Sequence, residues 1–95
     1  MKAPDRLSKH AIDRFIERHY PDEAKPSYAD AADVLQMICQ LAVHIEDIPG
    51  ENGQEAWRGR GAFTRVIMIV FDGEVKTVLW PNTVWHMGGR RGRCL

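Results

Sequence analysis

The sequence predicts an α+β fold: two N-terminal helices packed on a three- to four-stranded antiparallel sheet. Three observations carry this. Ala31, Val34, Leu35, Ile38, Leu41, Ala42 and Ile45 recur at helical spacing. Thr64 to Phe71 is rich in β-branched residues and leads into Asp72-Gly73, a strong signal for a type I′ hairpin turn. The period changes once, between the two regions, so helices and strands are segregated along the chain, as in α+β folds.

The first helix starts after a lead-in that Pro4 and Asp5 keep irregular, which predicts a frayed end over residues 1–7. Ser8 is its expected N-cap. At about 100° per residue, Ala11, Ile12, Phe15, Ile16 and His19 share one apolar sector. His10, Arg14 and Arg18, spaced i, i+4 and i+8, line one edge of that sector. Asp13 and Glu17 lie further round, toward solvent. Pro21 ends the helix, because a residue before proline avoids helical geometry.

Ser27, with Asp30 three residues on, opens the second helix in a variant of the capping box. Its apolar repeat runs to Ile45, and it is expected to fade by Glu46-Asp47, before Pro49-Gly50. Residues 50–54 read as a loop. Ala56 to Arg60 predicts a short strand containing Trp57. The next strand has two apolar faces, Val66, Met68 and Val70 on one, Ile67, Ile69 and Phe71 on the other. This suits a central strand or one that meets a second chain, which leaves a homodimer open. In the return strand, alternation places Val75, Thr77 and Leu79 on one face and Lys76, Val78 and Trp80 on the other. Thr83 to His86 is a candidate edge strand. Residues 1–87 are expected to form one domain, and 88–95, with Arg90, Arg91 and Arg93, a flexible basic tail.

Composition narrows the function classes. A chain of 95 residues with 44% hydrophobic and 27% charged residues has room for one small core. The longest apolar run, Val66 to Phe71, is far too short to span a bilayer. The N-terminus lacks the apolar segment of a signal peptide, so a cytoplasmic protein with no membrane partner is expected. The net charge of zero conceals an asymmetry: residues 1–55 carry six Lys/Arg against eleven Asp/Glu, and residues 56–95 seven against two. The basic half is where a polyanion would be drawn, unless the halves simply complement each other within one fold.

No metal or cofactor is expected. His10 and His19 are nine apart on different sectors, and Cys39 and Cys94 form no ligand pair. Arg58-Gly59-Arg60-Gly61 lacks the Lys-Ser/Thr of a phosphate loop, and both serines, Ser8 and Ser27, read as helix caps. What remains is a metal-free phosphodiester site. RNA cleavage through the 2′-hydroxyl needs a general acid or base and cations for the charged phosphorane. His10, Arg14 and Arg18 supply those types on one stripe, and Thr77 a hydroxyl on a neighbouring strand. Arg58, Arg60 and Arg65, with Arg90 and Arg91 of the tail, are the candidate RNA contacts, and Trp57 or Trp80 the candidate stacking ring. The plain alternative is that the stripe is a solvated face with local ion pairs.

The segment Lys9-His10-Ala11-Ile12-Asp13-Arg14-Phe15-Ile16-Glu17-Arg18 resembles the HA-x-x-R-[FY]-x-x-R helix of small bacterial and phage proteins grouped with the RelE/barnase-like ribonuclease-toxin superfamily. Val75-Lys76-Thr77-Val78-Leu79 is similar to their V-x-T-V-L core strand after a D-G or N-G turn. The resemblance covers residues 8–80. It implies a metal-independent ribonuclease, often silenced by an antitoxin, with His10 as general acid/base, Arg14 and Arg18 as phosphate clamp and Thr77 as orienting hydroxyl. The neutral charge and the extension Thr83–Leu95 depart from that pattern. A second reading is a phage or mobile-element protein that works by binding a host or defence factor. A third is a nucleic-acid-binding accessory that uses the arginine-rich tail.

Overall fold

The computed structural model describes residues 4–45 and 53–81, and the backbone of 83–86 and 90–94. The fold is α+β, with two helices and a five-stranded mixed sheet. In chain order the elements are β1 (Arg6–Leu7), α1 (Lys9–His19), α2 (Tyr28–Leu41), β2 (Val43–His44), β3 (Glu55–Arg58), β4 (Ile67–Phe71) and β5 (Glu74–Val78). The sheet order is β1-β5-β4-β3-β2. The pairs from β2 to β5 are antiparallel, as expected, but β1 runs parallel to β5. The sheet therefore has one or two more strands than the sequence predicts, and it is not purely antiparallel.

Both helix starts follow the sequence. The hydroxyl of Ser8 accepts from the backbone N–H of Ala11 at 3.0 Å, and that of Ser27 from Asp30 at 3.1 Å. Each satisfies one donor that the first helical turn leaves free. Tyr20, before Pro21, leaves α1 in an extended conformation. The Asp72-Gly73 turn has positive φ at both residues, 50° and 78°, as a type I′ turn requires.

Four features depart from local reading. Residues 5–8 are not frayed: the N–H groups of Asp5 and Arg6 donate to Gly73 O, and that of Ser8 to Val75 O. The Arg6 side chain adds a bond to Asp72 O. The partner of this lead-in lies more than sixty residues away, where a local pattern has no view of it. Helix α2 ends at Leu41, four residues short of Ile45, because Val43 and His44 leave to pair with Arg58 and Trp57. The β4 strand begins at Ile67, three residues later than expected, after a 3-10 turn over Gly61–Phe63. Gly59 makes that turn fit: a Cβ there would stand 2.5 Å from Phe63 O.

The fourth departure matters most for function. Val75 pairs with Val70, Thr77 with Ile69 and Val78 with Met68, with a register shift between Ile69 and Val70 that leaves Lys76 as the extra residue. This β-bulge reverses the alternation within β5. Val75 and Val78, three apart, both reach the core and are fully buried. With Trp57, Met68 and Val70 they meet Ala11, Ile12 and Phe15 of α1 and Ala31, Leu35 and Ile38 of α2. Thr77 pairs with Ile69 on the opposite face, away from the helices. Cys39, in the same core, lies 3.6 Å from the Met68 sulfur, and burial pushes its thiol pKa up to about 12, so it is unreactive.

The region expected as an edge strand and tail contains a two-stranded antiparallel ribbon, β6 (Thr83–His86) with β7 (Arg90–Cys94). The side chains of Arg90, Arg91 and Arg93 fall outside the described residues, as do residues 46–52 of the expected helix end and loop. Among the described residues no helix is long and apolar enough to cross a membrane.

Candidate functional site

Helix α1 lies along the outer side of β5, where β1 stops after two residues. It closes that edge with polar groups. The Ser8 hydroxyl donates to Lys76 O at 3.3 Å, an Arg18 Nη donates to Val78 O at 3.0 Å, and His19 Nε2 lies 2.8 Å from Leu79 O. An unpaired strand edge is a template for foreign pairing, and these bonds occupy it.

The predicted stripe is thereby split. His10 is exposed in the first turn, with no hydrogen bond or ion pair among the described residues. Arg14 is engaged by Glu17, one Nη lying 3.0 and 3.1 Å from the two carboxylate oxygens. Arg18 turns toward the sheet. Its Nε stands 3.5 Å from Glu17, and its guanidinium carbon lies 5.0 Å from the centre of the Trp80 ring. The bulge puts Thr77 on the far face of the sheet, where it does not meet the three α1 residues. Arg58 is exposed on that same far face, paired in register with Ile67, and Arg60 is exposed just before the 3-10 turn. His10, Arg14, Arg18 and Thr77 are therefore not gathered into one site.

Concavity appears elsewhere. A groove of about 390 Å³ opens at the C-terminal end of α1. It is lined by Phe15, His19 and Tyr20 at the end of α1, by Ala62, Phe63, Arg65 and Val66 ahead of β4, and by Pro81 after β5. That volume is in the range of small-ligand sites, and its apolar walls with a few polar groups fit their usual make-up. Among the described residues picked out from sequence as cationic or catalytic, only Arg65 lines it.

His19 is the groove's distinctive group. The Phe15 ring lies 5.5 Å away and tilted, and Phe15 also meets Tyr20 edge-on at 5.4 Å. A carbonyl only accepts, so the contact with Leu79 O requires the hydrogen on His19 Nε2. The neutral ring then keeps its lone pair on Nδ1, which makes no hydrogen bond among the described residues. Burial lowers the His19 pKa below the ordinary 6.5. The bond to Leu79 opposes that shift, and the Arg18 charge adds to it. Burial thus favours the neutral imidazole of His19, and the bond to Leu79 O places its hydrogen on Nε2 and its lone pair on Nδ1.

Sequence reasoning passed over His19 because its spacing groups it with core residues. The signal was present: a histidine in an apolar sector at a helix end, beside an arginine and before Tyr20-Pro21. Its partner Leu79 was not legible, since nothing local links residues sixty apart.

A second polar cluster sits at the β2 edge. His44 Nε2 lies 3.6 Å from Glu55, and the His44 ring meets Trp57 edge-on at 5.3 Å. Neither His44 nor Glu55 lines the groove at the end of α1. No group of three or more metal-ligating side chains occurs among the described residues. The chain matches no protein-family model, no curated protein and no solved structure.

Proposed function

We propose that this protein acts on RNA phosphodiesters without a metal, at the groove that ends α1. One observation carries the reading: His19, a neutral base of fixed tautomer, and Arg65, a permanent cation, line the same open concavity. In this scheme His19 Nδ1 takes the 2′-hydroxyl proton as the 2′-oxygen attacks phosphorus. Arg65 stabilises the phosphorane, and the 5′-oxygen leaves with a proton from water. The likeness of the α1 segment and of the β5 strand to the RelE/barnase-like superfamily implies the same reaction class, but the base proposed here is His19 and not the motif's His10. A cytoplasmic setting, where RNA is at hand, belongs to the proposal.

The test is degradation of single-stranded RNA in the presence of a chelator. The wild type is expected to cleave. His19→Gln is expected to lose about 100-fold or more, the usual share of a general base, and His10→Ala to match wild type. A wild type that leaves RNA intact, or His19→Gln with undiminished activity, overturns the proposal.

The outer face of α2 favours a second reading, a protein that acts by binding another protein such as an antitoxin or host factor. Met37 and Leu41, one turn apart, are 43% and 61% exposed in the acidic half of the chain. On that reading a Met37→Lys/Leu41→Lys variant fails to alter the partner's activity, while His19→Gln behaves as wild type.

A further inference from the structure

Beside the groove is a shelf that the cleavage scheme does not use. Trp80 follows Leu79, whose carbonyl holds His19, and precedes Pro81, which lines the groove. Its side chain does not line the groove and is 41% exposed. The Arg18 guanidinium lies over the ring, and Arg18 is itself tied down by Val78 O and by Glu17. A large ring left this exposed draws only part of its stabilisation from burial. Held by an anchored cation and placed between Leu79, whose carbonyl meets His19, and Pro81, which lines the groove, it has few orientations to lose when something stacks on it. Ring ordering is one of the costs of binding that such anchoring reduces.

We propose that Trp80 is a base-stacking platform: a nucleobase next to the phosphate in the groove lies against the indole, with Arg18 steadying it. The occupant is a nucleobase because the shelf pairs an aromatic ring with the Arg18 cation, beside a groove that Arg65 lines. Single-stranded nucleic acid offers the matching alternation of planar base and phosphate. Stacking is tolerant of base identity, so the platform holds RNA without selecting sequence. The inference rests on the RNA reading above and adds to it where the chain leaves the groove.

The experiment uses the full chain and two probes that resist cleavage, a short 2′-O-methyl oligoribonucleotide and an abasic oligonucleotide of the same length. Trp80→Ala is expected to weaken the first by about 5- to 150-fold, the range for losing one stacked base, and to leave the second unchanged. Trp80→Phe, which keeps a ring and guards against misfolding, is expected to retain most of the affinity. Equal affinity of Trp80→Ala and wild type for the 2′-O-methyl probe, with Arg65→Ala weakened, overturns the platform while the RNA reading stands. An equal loss on both probes also overturns it, since a ring that only shapes the phosphate site weakens both alike. A wild type that binds neither probe removes the RNA reading, and the platform with it.

Discussion

The two ends of helix α1 carry the same chemistry on paper. Each has a histidine near arginines: His10 with Arg14, and His19 with Arg18. In the fold they differ completely. His10 faces solvent in the first turn, and Arg14, one turn on, is held by Glu17. The last turn is locked to the sheet edge through Val78 and Leu79 and forms a groove wall. Residue type at helical spacing is therefore not enough to mark a site. What separates the two histidines is a partner that fixes one ring nitrogen and walls that shield the ring. Only tertiary packing supplies either.

The largest effect is expected where groove and core share a residue. Phe15, buried in the core and lining the groove, is predicted to cost about 3–5 kcal/mol when replaced by alanine. Urea denaturation checks this, and a loss under about 1 kcal/mol would mean that the Phe15 ring contributes little to the core despite its burial.

Arg18→Ala comes next. It leaves the Val78 carbonyl of a fully buried residue without its side-chain donor and removes the contact with Trp80. A loss of about 1–3 kcal/mol follows from the unsatisfied acceptor. Arg14→Ala, its counterpart one turn earlier, is expected to change stability by only a few tenths of a kcal/mol, because its pair with Glu17 is largely exposed. Equal effects would erase the distinction between the two arginines.

His19→Gln is expected to cost about 0.5–1.5 kcal/mol for the bond to Leu79, and to alter the pH profile. Burial holds the folded pKa below 6.5, so in acid the unfolded chain takes up a proton before the folded one does. The His19 contribution is therefore complete above about pH 6.5 and is lost as the pH falls from there through the folded value. Denaturation midpoints of wild type and variant should converge over that window. Parallel curves would show that His19 does not titrate as a buried base.

The smallest effect belongs to the first turn. His10→Ala should leave stability within about 0.5 kcal/mol of wild type, as for any exposed site without partners. A loss of RNA cleavage in that variant alone, with His19→Gln active, would return the site to the predicted stripe.

Much of the fold was legible in the sequence because it rests on local rules. Ser8 and Ser27 cap their helices, Pro21 follows the end of α1, and Asp72-Gly73 turns the hairpin, each through groups a few residues apart. The site was less legible. The sequence marks Arg65 by its charge alone, groups His19 with the core residues, and places Thr77 by an alternation that the bulge at Lys76 reverses.

Capping, turn chemistry and the period of apolar residues determined the two helices, the hairpin and their order, since these depend on neighbours in the chain. The tertiary structure alone decided that residues 6–7 join β5, that α2 stops at Leu41, that Val75 and Val78 share a face, and which histidine lines a groove. Each of those depends on pairing or burial between segments distant in sequence, where the gain comes from satisfying the other segment's carbonyls and apolar surface.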